Sequence, residues 1–324
     1  TGRILKIIRQ LQQIDKNMEI KMEIKMDIPQ NFPMKIEENL WVLGNYYFNL
    51  YLVKGRKSSA LIEVGISAIA DTVISQLEDM NESPDYLIVS HPHTDHVTGL
   101  EALCHRFPDA CVVAGEGAEQ FVNHPKAADV MIKEDRYMAQ MLEERGIRPG
   151  RLPIEKPFFP DDHMAVSKKQ QIDLGDIMIE CVNVKGHSPG NIVVNIPAIK
   201  ALILSDSLGF HFPGRGFLPI FFTGYKDYLT TLDYLESCRP SILGIAHQCP
   251  VFGDNVKKAF HESRNATYDL YNMITEAKKK GKDEDEIADT IFNDCYKDEF
   301  KLYTEDNIRN CSRLLVKRVM ETLD

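Results

Sequence analysis

Residues 86–99 read YLIVSHPHTDHVTG. The run from Tyr86 to Val89 has no polar alternation, which is the pattern of a strand covered on both faces of its sheet. After Ser90, the six positions 91–96 hold three histidines and an aspartate. Side chains alternate in extended chain, so His91 and His93 project to the same side and suit one cation. Asp95 and His96 lie where the chain turns into the next helix, so they face a second cation beside the first. Imidazole nitrogen with carboxylate oxygen suits zinc, iron(II) or manganese(II) better than calcium or magnesium, which prefer oxygen alone.

Two ions need six or seven ligands, so more are expected at other strand ends. His187 follows CVNVKG and opens GHSPGN, Asp206 ends ALILSD, and His247 ends ILGIAH. Each stands where an apolar strand stops, which is where the active sites of α/β proteins gather. The other histidines are less telling: His163 reads as a solvated loop residue, and His105, His124 and His261 fall in helical stretches and read as structural.

Working outward, short β-rich runs precede the quoted stretch: NLWVLG, FNLYLVKG and SALIEVG, each closing on glycine. A helix is expected between them and YLIVS, because Ile66, Ile69, Val73, Ile74, Leu77 and Met80 recur at three- and four-residue steps. Beyond the quoted turn the pattern predicts a helix at 98–107, a strand at 110–114, mostly helix over 115–145 and a proline-rich loop at 149–163. A second strand series follows in QQIDL, DIMIECVNV, NIVVNI and KALILSD, then a helix at 225–238 and the strand SILGIAH. Two β-rich halves separated by helices predict two sheets packed face to face with helices outside, an α/β/β/α sandwich. Three segments result: an N-terminal helical extension and linker at 1–33, a catalytic domain at 34–253 and a helical C-terminal cap at 254–324. Within the first, residues 3–16 have helical apolar spacing among basic residues and read as a docking helix rather than a membrane-surface one.

The 324 residues carry a net charge of −10, which disfavours a nucleic-acid partner, since phosphate contacts need clustered lysine and arginine. A small molecule is the expected partner. Seven scattered cysteines without CxxC spacing argue against a disulfide framework or a thiolate zinc site, and point to a reducing, cytoplasmic setting. No run reaches membrane-spanning length and no secretory signal is visible, so neither membrane nor export is expected. A homodimer is compatible with all of this.

At the residues quoted, the chain resembles the metallo-β-lactamase-fold hydrolases, which include glyoxalase II-like thioesterases and lactonases. The HxHxDH motif, GHSPG, a strand-final aspartate and a strand-final histidine occur in family order over roughly 36–253. The resemblance implies that His91, His93 and His187 hold one ion, that Asp95, His96 and His247 hold the other, and that Asp206 bridges them. The chain departs from the pattern at Ser205, Ala246 and Gln248, where glycines are usual, and the bulkier Gln248 is expected to narrow or repolarise the side of the second ion. The helical tail and GYKDYLTTLDYLESCRP are similar, less extensively, to aminobenzoylacetyl-coenzyme A thioesterases of the quinolone-signal response type, which suggests a cap over the site.

These implications define an expected chemistry. Two divalent ions, zinc first with iron and manganese open, ionise a water between them near neutral pH, and the hydroxide attacks a small ester, above all a thioester of coenzyme A or glutathione. Asp95 is expected both to hold the second ion and to orient that water as the catalytic carboxylate. His211, Phe221, Tyr225 and Tyr228, in an aromatic stretch with Phe212, Phe217 and Phe222, are the candidates for contacts to the acyl group, with a place in the core as the alternative for each. A lactonase or phosphodiesterase using the same site, or a regulatory protein that binds a partner and keeps the metal site, are the competing expectations. The di-iron flavoproteins of this fold fit less well, because glutamate is usual there where this chain has His93.

Overall fold

The structure, a computed structural model, describes residues 31–323. The docking helix expected at 3–16 lies outside them. The first sheet runs in order β1 (Met34–Glu37), β2 (Leu40–Asn45), β3 (Phe48–Lys54), β4 (Ser59–Ile62), β5 (Tyr86–Val89), β6 (Cys111–Gly115) and β7 (Met164–Val166). It is antiparallel through β4 and parallel from there to β7. The second sheet runs β15 (Val251–Phe252), β14 (Ile242–Gly244), β11 (Ala201–Ile203), β10 (Ile192–Ile196), β9 (Met178–Asn183) and β8 (Lys169–Asp173). A separate hairpin pairs β12 (Phe210–Phe212) with β13 (Gly216–Leu218).

Side-chain alternation explains why the two sheets stack. Tyr51 and Val53 of β3, Ala60 and Ile62 of β4, and Ile88 of β5 face Ile192 and Val194 of β10 and Ala201 and Ile203 of β11 in one dry layer. Their neighbours Leu50, Leu52, Leu61, Leu87, Val89, Val193 and Leu202 point the other way into a second layer under the helices. Each strand thus serves two cores, which is why these runs carry almost no polar residue. The expected α/β/β/α sandwich is the observed architecture.

The helices over the first sheet are α1 (Ser67–Asp79), the short α2 (Thr94–Val97), α3 (Leu100–Arg106), α4 (Ala118–Val122) and α5 (Pro125–Glu144). On α5 the buried stripe is Met131, Glu134, Asp135, Met138, Ala139 and Leu142, so a helical period places two carboxylates inside. After α6 (Tyr225–Ser237) and β14 come α7 (Asp254–Lys279), α8 (Glu284–Cys295), a 3₁₀ turn at Asp298–Leu302, and α9 (Glu305–Met320). Two of these helices begin with side-chain caps: Asp283 and Glu286 form a capping box on α8, and Thr304 caps α9. The C-terminal region expected as helix throughout is therefore three helices with breaks at 280–283 and 296–304.

Topology gathers the strand ends that matter. β9 and β11 both run antiparallel to β10, and β14 runs parallel to β11, so the carboxyl ends of β9, β11 and β14 share one edge of the second sheet. The first sheet is stitched to that edge. Ile192 N donates to Ser90 O at 2.7 Å, Asn49 N to Ala246 O at 2.8 Å, and Tyr51 Oη to Ile245 O at 2.6 Å. Among the described residues no helix is long and apolar enough to cross a membrane. All seven cysteines are free thiols.

Candidate metal centre

The seven residues singled out from the sequence converge at that edge. His91, His93 and His187 form one group and Asp95, His96, Asp206 and His247 another, each group with one potential ligand atom per residue and all atoms within 4.8 Å of one another. His91 stands two residues beyond the end of β5, and Asp95 and His96 sit on the single turn of α2. His187 stands in the loop between β9 and β10, one residue after Gly186, whose φ of +104° is left-handed. A β-carbon at Gly186 would lie 2.4 Å from the backbone of Tyr228, so only glycine lets this loop reach α6 and present His187.

In the first group, Nε2 of His91 lies 3.1 Å from Nδ1 of His93 and 3.1 Å from Nε2 of His187. Nitrogens on a tetrahedral zinc at ordinary bond lengths stand about 3.3 Å apart, so this spacing fits one cation at their centre. The outward nitrogens are tied down. His187 Nδ1 donates to Ile220 O at 2.9 Å, His247 Nδ1 to Tyr47 O at 2.6 Å, and His96 Nδ1 to the Glu63 carboxylate at 3.0 Å. Those bonds fix the tautomers, so the Nε2 lone pairs of these three rings face inward. His96 Nε2 is buried with no hydrogen-bond partner. Buried lone pairs facing one another and a carboxylate are a poor arrangement alone and a good one around cations.

Asp206 stands between the two groups. Its Oδ2 is 3.9 Å from His91 Nε2, 3.8 Å from His187 Nε2 and 3.4 Å from His96 Nε2, while Oδ1 is 3.6 Å from His247 Nε2. Asp95 Oδ2 lies 3.2 Å from His96 Nε2 and 3.6 Å from His247 Nε2.

The protonation states agree with cation binding. Burial, reinforced by the neighbouring histidines, holds His91 well below its ordinary value, and burial with His187 brings His93 down to about 3. His187 is lowered chiefly by burial as well. Burial works against charge on Asp95 and Asp206, but the imidazoles of His96 and His247 outweigh it and keep both carboxyls below the usual range. His96 is the exception, where Asp95, Glu63 and Asp206 overcome burial and raise it.

A cavity of about 510 Å³ opens over both groups. His93, Asp95, His187 and Asp206 form its floor, and its apolar walls come from Phe121, Val130 and Met131 on one side and Ile308, Cys311 and Leu315 of α9 on the other. Lys126 and Arg318 also line it. Phe222 belongs to the lining, but the other aromatic candidates do not. Phe221 and Tyr228 are fully buried against each other, Tyr225 stacks on Tyr271 of α7, and His211 pairs with Gln248. The chain turns at residues 219–224, so helix-facing positions there point into the α6–α7 core, away from the cavity. The expected narrowing by Gln248 is corrected too: its amide is spent on the ring and carbonyl of His211, and it does not line the cavity. His124, read as structural, lies on the cavity lining at the start of α5, and His163 is held by Pro160 O at 3.1 Å.

Two residues near the centre were not singled out from sequence. Glu63 is buried beside His96, and its signal was one carboxylate in the apolar run SALIEVG. Tyr303, from the break before α9, donates its phenol proton to Asp95 Oδ2 at 2.7 Å. Burial, then the Asp95 and Asp206 charges, push its ionisation well above the ordinary tyrosine value, so it acts as a donor.

Residues 45–247 match the Metallo-beta-lactamase superfamily, well over half of the chain. This chain belongs to that superfamily. Within it, the chain is 30% identical over 151 residues to a hydroxyacylglutathione hydrolase of Ruegeria pomeroyi; the match covers 45% of this chain and 44% of that enzyme, so it spans under half of either protein. Among solved superfamily folds, a beta-lactamase domain protein from Burkholderia ambifaria superposes with a TM-score of 0.66 at 16% identity, covering 92% of this chain and 93% of the other. A stereoselective inverting sec-alkylsulfatase from Pseudomonas sp. gives 0.61 at 18% identity over 88% of this chain and 49% of its own. At such identities these two likenesses speak to the fold alone.

Proposed function

We propose that this superfamily member is a dinuclear metal-dependent hydrolase acting on thioesters with an apolar acyl group. The observation that carries the proposal is Asp206, whose carboxylate lies within 4 Å of imidazole nitrogens from both ligand groups. His91, His93 and His187 would hold one divalent ion, Asp95, His96 and His247 the other, and Asp206 both, with zinc first and iron or manganese as alternatives. A cation pair so held supplies Lewis acidity to a carbonyl and brings the ionisation of water to about pH 7.

The chain's own residues do the remaining work. Asp95, at the first turn of α2 and on the cavity floor, accepts a hydrogen bond from the attacking water at its carboxylate and takes up that water's proton. Phe121, Phe222, Ile308 and Leu315 exclude bulk water and offer an apolar surface to an acyl group, and 510 Å³ is the size of a small-molecule site. Lys126 is exposed and Arg318 partly so, which places the cationic part of the lining toward solvent, where the anionic portion of a coenzyme A or glutathione leaving group would lie. Hydrolysis of an acylglutathione, the activity named for the Ruegeria relative, is thioester hydrolysis, and that supports the choice of substrate class.

The test is a panel of acyl-coenzyme A and acylglutathione thioesters, homoserine lactones and phosphodiesters given to metal-replete protein. Thioester turnover that a chelator abolishes, and that Asp95→Ala loses while retaining its fold, supports the proposal. Turnover confined to lactones or phosphodiesters, or none with two ions bound, overturns it.

A further inference from the structure

The last metal-facing residue legible in sequence is His247, yet a hydroxyl from 56 residues further on reaches its ring nitrogen and the Asp95 carboxylate beside it. Tyr303 Oη lies 2.7 Å from Asp95 Oδ2 and 3.5 Å from His247 Nε2, so it sits between two residues of the second ligand group. We propose that Tyr303 is a positioning residue for the second metal site, fixing the Asp95 carboxylate from the C-terminal helical region. The inference rests on the dinuclear reading given above and extends it to a part of the chain outside the superfamily match, which ends at residue 247.

The position of Tyr303 is secured on three sides. Its ring meets Phe300 and Phe210 edge-on, and Phe210 in turn packs on the His247 ring at 5.0 Å. The next residue, Thr304, caps α9 and is clamped to α5: its backbone N–H donates to Glu134 at 3.0 Å, its hydroxyl donates to the same carboxylate, and Asn307 Nδ2 adds a third bond at 3.3 Å. Glu134 is buried on α5, the helix that supplies one wall of the cavity, so the clamp ties the break before α9 to the body carrying α2. A carboxylate has about four lone-pair positions, enough to serve a cation and still accept from the phenol. His96 Nε2 has its lone pair inward, so the tyrosine hydroxyl is the neutral donor that aims Asp95.

The experiment is cobalt(II) titration of metal-free wild type and Tyr303→Phe, followed by calorimetry and by the visible d–d absorption of the bound ion. Phenylalanine keeps the ring contacts and deletes only the hydroxyl. The expected result is an unchanged first binding step, a second step weakened about 10- to 100-fold, an altered second-site spectrum and an unchanged melting temperature of the metal-free protein. Glu134→Ala, which frees Thr304 but leaves the phenol, should weaken the same second step. Wild-type affinities and spectrum in Tyr303→Phe overturn the inference, and so does an equal weakening of both steps, which would report general loosening. Because the titration needs no substrate, it is read even if no thioester is cleaved. A wild-type protein that takes up one ion sinks the dinuclear reading with it, whereas a two-ion wild type with an unaffected variant sinks the inference alone.

Discussion

His96 Nδ1 lies 3.0 Å from Oε2 of Glu63, and both side chains are buried. The carboxylate accepts a hydrogen bond from Nδ1–H and keeps the proton on that nitrogen, so the other ring nitrogen presents its lone pair to the second ligand group. Outer partners of this kind are worth about 10- to 100-fold in metal affinity. Glu63→Ala should therefore release the second ion to a competing chelator at concentrations that leave the first in place. Equal retention of both ions by Glu63→Ala, measured by elemental mass spectrometry after dialysis, would show that the contact orients nothing.

Asp206 and His187 should fail differently. Asp206 approaches nitrogens of both groups, while His187 belongs to the first. Asp206→Ala is expected to purify with both sites depleted, and His187→Ala with only the first depleted, since the second group keeps all four of its members. If metal content falls alike in the two variants, the assignment of Asp206 to both ions is wrong.

Removing metal should cost global stability as well. A ligand present at a thousand times its dissociation constant stabilises the folded state by about 4 kcal/mol, which for a chain of this size corresponds to a melting shift on the order of 10 °C. Thermal melts with and without chelator, and after metal is returned, measure it. An unchanged melting temperature in protein proven metal-free would mean that the facing lone pairs are tolerated without a cation.

The ligands were legible because each is chemically distinctive and stands at the end of an apolar strand, where position in sequence implies position in space. Glu63 and Tyr303 were not, because their partners are 33 and 208 residues away and only the fold joins them. The strands β7, β12 and β13 are three residues long, too short to show a period, so in the sequence the Phe210–Leu218 hairpin is visible only as part of an aromatic stretch. Two of the unusual residues in the motifs acquire a reason from the backbone. Ser205 and Gln248 have φ of +52° and +69°, conformations that glycine adopts freely and other residues at a cost of about 1–2 kcal/mol. Gln248 offsets that cost with its bonds to His211, and Ser205 with a 3.2 Å hydroxyl bond from Ser90, so the ligands beside them keep their places.

The turn that carries Asp95 and His96 depends on Asp135 of α5. This wholly buried carboxylate accepts from Ser67 N at 3.2 Å, Ser67 Oγ at 2.5 Å, Thr98 Oγ1 at 2.5 Å and Ile154 N at 2.9 Å. One side chain thus joins the start of α1, the residue after α2 and the proline-rich loop. Asp135→Ala strands those donors in the interior, where each unsatisfied group costs about 1–3 kcal/mol, so a loss of about 3 kcal/mol is expected. Asp135→Asn keeps the shape, and the two hydroxyls can rotate to accept from its amide, so its loss should be smaller. Urea titrations at fixed metal concentration read both variants through their midpoints, with slopes matching wild type. A wild-type midpoint for Asp135→Ala would mean that water replaces the carboxylate and that the turn is held by its backbone alone.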